Sequence, residues 1–143
     1  MLITNPRNIK LRPDDVDLLV EIEKQSGLPD GFWNDVRLTS AFRPSDSFGY
    51  HKLGLAVDIA CNTLSKMRHI YDALVANNWQ GGLGIAGPGL PLHIHVDSRH
   101  LIGHATAYFI EWLAGPNQYI YPTKQKNEKH FEQCYLTVRR LYG

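Results

Sequence analysis

An aspartate stands in the middle of an apolar run. Residues 55–60 read Leu-Ala-Val-Asp-Ile-Ala, and every one of them except Asp58 suits a buried strand. An ionised carboxylate is costly to bury unless it is paired, hydrogen-bonded or bound to a metal. Asp58 therefore constrains the fold more than any other residue, because the chain has to bring a partner to it. Side chains alternate along a strand, so Leu55, Val57 and Ile59 share one face while Ala56, Asp58 and Ala60 share the other. Asp58 then projects between two small residues that leave room above the sheet. Gly54 lets the chain turn so that His51 comes back over the same face.

A second segment supplies further partners. Residues 92–98, LHIHVDS, alternate strictly, which puts His93, His95 and Asp97 on one face and Ile94 and Val96 on the other. Two imidazoles and a carboxylate thus line one surface. A His, Asp, His set with an open fourth position is the ligand type of catalytic zinc, whereas closed structural sites use mostly cysteine. The chain has only Cys61 and Cys134, without CxxC spacing, and both are expected to be reduced and mostly buried.

The surrounding pattern is that of an α+β domain. Residues 11–27 open with Pro-Asp-Asp, carry Val16, Leu18, Leu19, Val20 and Ile22, and stop at Gly27, as a helix would. Residues 36–42 read as a strand ending at Arg43-Pro44. Asn62-Thr63 cap a helix over about 64–79, with Met67, Ile70, Tyr71, Leu74 and Val75 at helical spacing. Residues 81–85 read as a short glycine-rich strand whose backbone is expected to pass close to the site, and residues 87–91 read as a turn. Residues 105–113 fit either a helix or a strand, and 119–123 a short strand broken by Pro122. Residues 124–142 read as a closing helix with Phe131, Tyr135, Val138 and Leu141 on one face.

With 143 residues, 43% of them hydrophobic, the chain is expected to be a single domain over 1–143 with a real core. Fifteen Lys and Arg nearly balance 14 Asp and Glu, so there is no electrostatic case for a nucleic-acid or membrane partner. The N-terminus lacks an apolar signal region and no stretch is long enough to span a bilayer, so synthesis in the cytosol is expected.

Four motifs, TSAFRP, HKLGLAVDIA, GGLGI and LHIHVDSR, occur in an order that resembles the zinc D,D-carboxypeptidase and endopeptidase family of peptidoglycan enzymes, which shares its fold with the hedgehog signalling domain. The resemblance covers about residues 36–99. The family's HxxGxAxD motif matches His51, Gly54, Ala56 and Asp58, and its later HxD or HxH strand matches His93, His95 and Asp97. It implies a small antiparallel sheet flanked by helices, with one zinc ion per chain on the open face held by His51, Asp58 and His95. It further implies hydrolysis of a peptide bond in the peptidoglycan stem or crosslink by a monomer, in phage or prophage lysis or in wall remodelling. His93 is then a neighbour of the metal or stabilises the transition state. Arg43 falls where the family carries an arginine for the substrate carboxylate or oxyanion; the alternative is that Arg43 pairs with Asp97 or Asp46.

Two departures stand out. Many members place a Glu or Asp as general base just before the last zinc histidine, where this chain has Gly89, Leu90, Pro91 and Leu92. Asp97 is the first candidate for that role and His93 the second, with Asp97 as an orienting partner of a ligand or of Arg43 the alternative. The loop from Arg43 to His51 is also short, and Gly49 stands where members often carry serine. The missing acidic residue before His95 leaves room for a recognition or virion module of the same fold that has lost hydrolysis. His69, His100, His104 and His130 are expected to be structural, and Trp79, Trp112, Tyr119 and Tyr121 to belong to the core.

Overall fold

The computed structural model describes residues 1–86, 91, 93–111 and 119–120. Helix α1 spans Pro13–Ser26. Its start is set by Pro13 in the first turn and by the Asp15 carboxylate, which accepts the Arg12 backbone N–H at 2.8 Å. Its end is Gly27 in the left-handed conformation, φ 67°. A 3-10 helix over Asp30–Asp35 leads into strand β1, Arg37–Ser40, which is shorter than the expected 36–42 and whose register slips between Leu38 and Ser40.

Strand β2 is Ala56–Ala60 and helix α2 is Leu64–Ala76. The Thr63 hydroxyl caps α2 by accepting the Lys66 N–H at 3.1 Å. Helix α2 stops short of Trp79 because Asn78 takes a left-handed conformation, φ 58°, which asparagine tolerates. Trp79 turns inward instead, and its indole N–H donates to the Asp97 carbonyl at 3.1 Å. Strands β3 (Gly82–Ala86) and β4 (Ile94–Asp97), a 3-10 helix over Arg99–Ile102, β5 (Ala107–Glu111) and the short β6 (Tyr119–Ile120) follow. The ambiguous segment 105–113 is thus a strand over Ala107–Glu111. Cys134, Trp112, Tyr121, His130 and the expected closing helix lie outside the described residues.

The strands form one sheet in the order β1-β2-β4-β3-β5-β6. It is mixed, which corrects the expectation of an antiparallel sheet: β3 and β5 run parallel, and every other pair is antiparallel. The reason is the path of the chain. After β4 it passes through the second 3-10 helix to the far side of β3, so β5 returns in the direction of β3.

The register puts apolar rows on the helix side. Val57, Val96 and Leu83 align, as do Ile59, Ile94, Ile85 and Ile110. They pack with Leu19 and Ile22 of α1, with Met67, Ile70 and Leu74 of α2, and with Trp33 and Trp79. The opposite rows carry Ala56, Asp97 and Gly82, then Asp58, His95, Gly84 and Phe109. That face is not open at its centre, contrary to expectation. All residues of β2, β3 and β4 are buried, because His51, Arg99 and the Phe109 ring lie across them. No described helix is long and apolar enough to cross a membrane.

Candidate metal centre

Asp58 meets two histidines. Its Oδ1 lies 3.1 Å from His51 Nε2 and 3.2 Å from His95 Nδ1. The strands bring this about directly, since Asp58 and His95 are register partners on neighbouring strands. His51 arrives from the connection between β1 and β2, where Gly54 at φ 74° closes a turn by donating its N–H to the His51 carbonyl at 3.2 Å.

Each imidazole is fixed from behind. His51 Nδ1 lies 2.8 Å from the Ala41 carbonyl oxygen, which can only accept, so Nδ1 carries the hydrogen and Nε2 faces Asp58. His95 Nε2 lies 2.7 Å from Asp97 Oδ2 and donates there, which turns Nδ1 toward Asp58. One nitrogen from each histidine and one carboxylate oxygen therefore converge, all within 4.8 Å of one another and all from buried residues. This group could hold a metal ion. Its chemistry fits zinc: nitrogen and oxygen donors, with a carboxylate or carbonyl behind each histidine to set its orientation.

Asp97 is fully buried and heavily committed. Besides His95 it accepts the Gly82 N–H at 2.8 Å, the Arg99 backbone N–H at 3.1 Å, and two guanidinium bonds from Arg99 at 2.9 and 2.7 Å. The Arg99 guanidinium also lies 4.2 Å from the centre of the Tyr50 ring. A Cβ at Gly82 would collide with the Asp97 carboxylate and the Arg99 guanidinium, and one at Gly84 with the Phe109 ring. These glycines let side chains lie flat across the sheet beside the site.

Electrostatics follow from this packing. Burial opposes the charge on Asp58, but the hydrogen bonds from His51 and His95 outweigh it and hold the carboxyl well below its usual range. Burial likewise opposes a charged His95, yet Asp58 and Asp97 on either side push it up to about 10. Asp97 is drawn below the usual carboxylate range by Arg99 and His95, again against burial.

Arg43 and His93 flank the trio. Arg43 Nε bonds Asp46 Oδ2 at 2.8 Å and Nη1 bonds Ser40 Oγ at 3.2 Å, while Nη1 comes within 3.9 Å of Asp58 Oδ2. Of the two carboxylates considered for Arg43, Asp46 is its partner, and Asp97 is taken by Arg99. His93 Nδ1 donates to the Pro91 carbonyl at 2.7 Å, and its Nε2 lies 2.7 Å from Glu111 Oε2. Burial would lower the His93 pKa, but Glu111 and Asp58 raise it overall.

Sequence reasoning did not single out Arg99 or Glu111. The signal for Glu111 was the alternation of Ala107, Phe109 and Glu111, which share the site face once 107–111 is a strand. The other described histidines take structural positions. His69 packs edge-on against Phe32 and His100 against Trp79, and His104 Nδ1 lies 2.7 Å from the Tyr50 hydroxyl. Cys61 is buried with a free thiol, and burial pushes its pKa up. No family model, curated protein or solved structure matches the chain.

Proposed function

We propose that this chain is a zinc-dependent peptidase of the hedgehog and D,D-peptidase fold that cleaves a bond in the peptidoglycan stem peptide or crosslink. The observation that carries the reading is the buried trio of His51, Asp58 and His95, with the outer nitrogen of each histidine already held by Ala41 or Asp97. The order of the motifs around it supports the substrate class.

Zinc, when bound by these three residues, supplies a Lewis acid and makes water nucleophilic near neutral pH. The rest of the chemistry falls to the chain. Arg43 stands at the exposed edge of the trio, oriented by Asp46 and Ser40, where its guanidinium receives a substrate carboxylate or the developing oxyanion. Asp97 takes the orienting role, because its oxygens are committed to Arg99, Gly82 and His95. His93 lies beside the trio on the same strand face. Such an enzyme would work as a monomer, made in the cytosol and reaching the wall after release or export.

A second reading is a non-catalytic recognition or virion module of the same fold. It is favoured by Gly89, Leu90, Pro91 and Leu92, which stand where an acidic residue often precedes the last zinc histidine. Mass spectrometry of muropeptides incubated with the zinc-loaded chain separates the two. New fragments that disappear on chelation and in His51→Ala support the peptidase. A protein that binds zinc and releases no fragments is the recognition module.

A further inference from the structure

Among the described residues, Glu111 is the one carboxylate near the trio that the proposed chemistry has not used. It ends strand β5, two strands away from His93, and the residue between them in the sheet is Ala86. Ala86 is register partner to Glu111 and donates its N–H to the His93 carbonyl at 3.0 Å. Its methyl group is small enough for the two long side chains to meet above it. Glu111 Oε2 and His93 Nε2 are 2.7 Å apart, and the second carboxylate oxygen, Oε1, lies 3.9 Å from His95 Nδ1. That nitrogen is the one His95 turns toward Asp58, so Glu111 presents an oxygen to the edge of the space the trio encloses.

The arrangement has the parts of a held base. Both side chains are mostly buried, 13% exposed for Glu111 and 15% for His93. His93 is itself anchored through Nδ1 to the Pro91 carbonyl, so it fixes the rotamer of Glu111 instead of following it. Asp58 belongs to the trio, and Asp97, also on this face, is closed off by Arg99, Gly82 and His95. Glu111 belongs to the rim and not to the three converging atoms, which come from His51, Asp58 and His95.

We propose that Glu111 is the catalytic base, and that His93 is the positioning residue that holds it. The proposal rests on the peptidase reading. As the water oxygen bonds to the peptide carbonyl carbon, the water proton passes to Glu111 Oε1. When the tetrahedral species collapses, the C–N bond breaks and Glu111 returns that proton to the departing amine nitrogen. Nothing is oxidised or reduced, and Glu111 ends as it began.

The test compares the zinc-loaded parent with Glu111→Gln, Glu111→Asp, His93→Ala and His93→Gln, each checked for folding by circular dichroism and for bound zinc by mass spectrometry. Turnover of purified muropeptides by Glu111→Gln is expected to fall by about 100-fold or more, with KM within a few-fold and one zinc retained. His93→Ala should lose a comparable factor, and His93→Gln, which keeps an N–H to offer Glu111, should recover part of it. Turnover within a few-fold of the parent in Glu111→Gln overturns the proposal, and so does loss of its zinc, which would make Glu111 a ligand. Binding of acetohydroxamate to the zinc-loaded proteins, measured by calorimetry, gives a readout that needs no substrate. A base beside the metal accepts the hydroxamate proton, so Glu111→Gln should bind roughly tenfold more weakly, and equal affinity overturns the proposal. A parent that cleaves no muropeptide defeats the peptidase reading, and the hydroxamate comparison then decides the placement of Glu111 by itself.

Discussion

The two faces of strands β2 and β4 are buried alike and built of opposite chemistry. On the helix side Val57, Ile59, Ile94 and Val96 are 0 to 1% exposed, and on the other side Asp58, His95 and Asp97 are 0 to 8% exposed. Burial stabilises the first set without directional requirements, by about 25 cal/mol for each Å² of apolar surface removed from water. Burial penalises the second set, and only partners with correct geometry offset it. The helix side therefore depends on volume. The site side depends on a continuous chain of contacts, Ala41 to His51 to Asp58 to His95 to Asp97 to Arg99, in which each member orients the next. No buried side-chain polar atom among the described residues lacks a partner.

The contrast breaks most visibly at the trio. His51→Ala should abolish stoichiometric zinc binding in equilibrium dialysis while leaving the circular dichroism spectrum unchanged; a variant that still holds one zinc would remove the metal from the comparison. On the very next residue after Asp58 the outcome should invert. Ile59→Ala should cost about 2–5 kcal/mol in urea unfolding, as truncations of buried isoleucines do, with zinc stoichiometry kept. Should Ile59→Ala instead lose metal without losing stability, the two faces would not be separable.

Smaller effects sharpen the boundary. Asp97→Asn keeps the shape of the side chain and weakens the grip on His95, so zinc affinity should fall about 10–100-fold in a chelator competition, with the unfolding midpoint of the zinc-free protein as a check on folding. On the helix side, burial raises the pKa of Tyr71 above its usual 10.0. The folded state then keeps the phenol proton where the unfolded chain has lost it. Stability is complete below about pH 10 and declines as pH climbs toward the raised value, by at most about 1.4 kcal/mol per pH unit. Tyr71→Phe should remove that decline; urea midpoints at neutral and strongly alkaline pH measure it, and identical slopes for parent and variant would contradict it.

Much of the site was legible because Asp58 and His95 sit in two short segments where alternation decides the face. Asp58 between Ala56 and Ala60, and His95 between Ile94 and Val96, needed no knowledge of the rest of the chain. Glu111 was not legible in the same way. Its segment fits two secondary structures, and its relation to His93 depends on β5 lying beside β3, which no local pattern encodes. Arg99 was hidden differently: two residues after Asp97 it competes with Arg43 for the same carboxylate, and only the close approach permitted at Gly82 shows which arginine lies there.

Periodicity, caps and glycines act over a few residues. They were sufficient to define α1, the start of α2, and the polar and apolar faces of β2 and β4, while the choice of His51, Asp58 and His95 as the converging trio rested on the resemblance of the motifs. Strand order acts over the whole chain. The passage of β5 to the far side of β3 made the sheet mixed, put Ala86 between His93 and Glu111, and brought a carboxylate to the rim of the trio. These long-range contacts depend on which strands share a hydrogen-bonded edge, and that is settled by packing the apolar rows against two helices and not by any single segment.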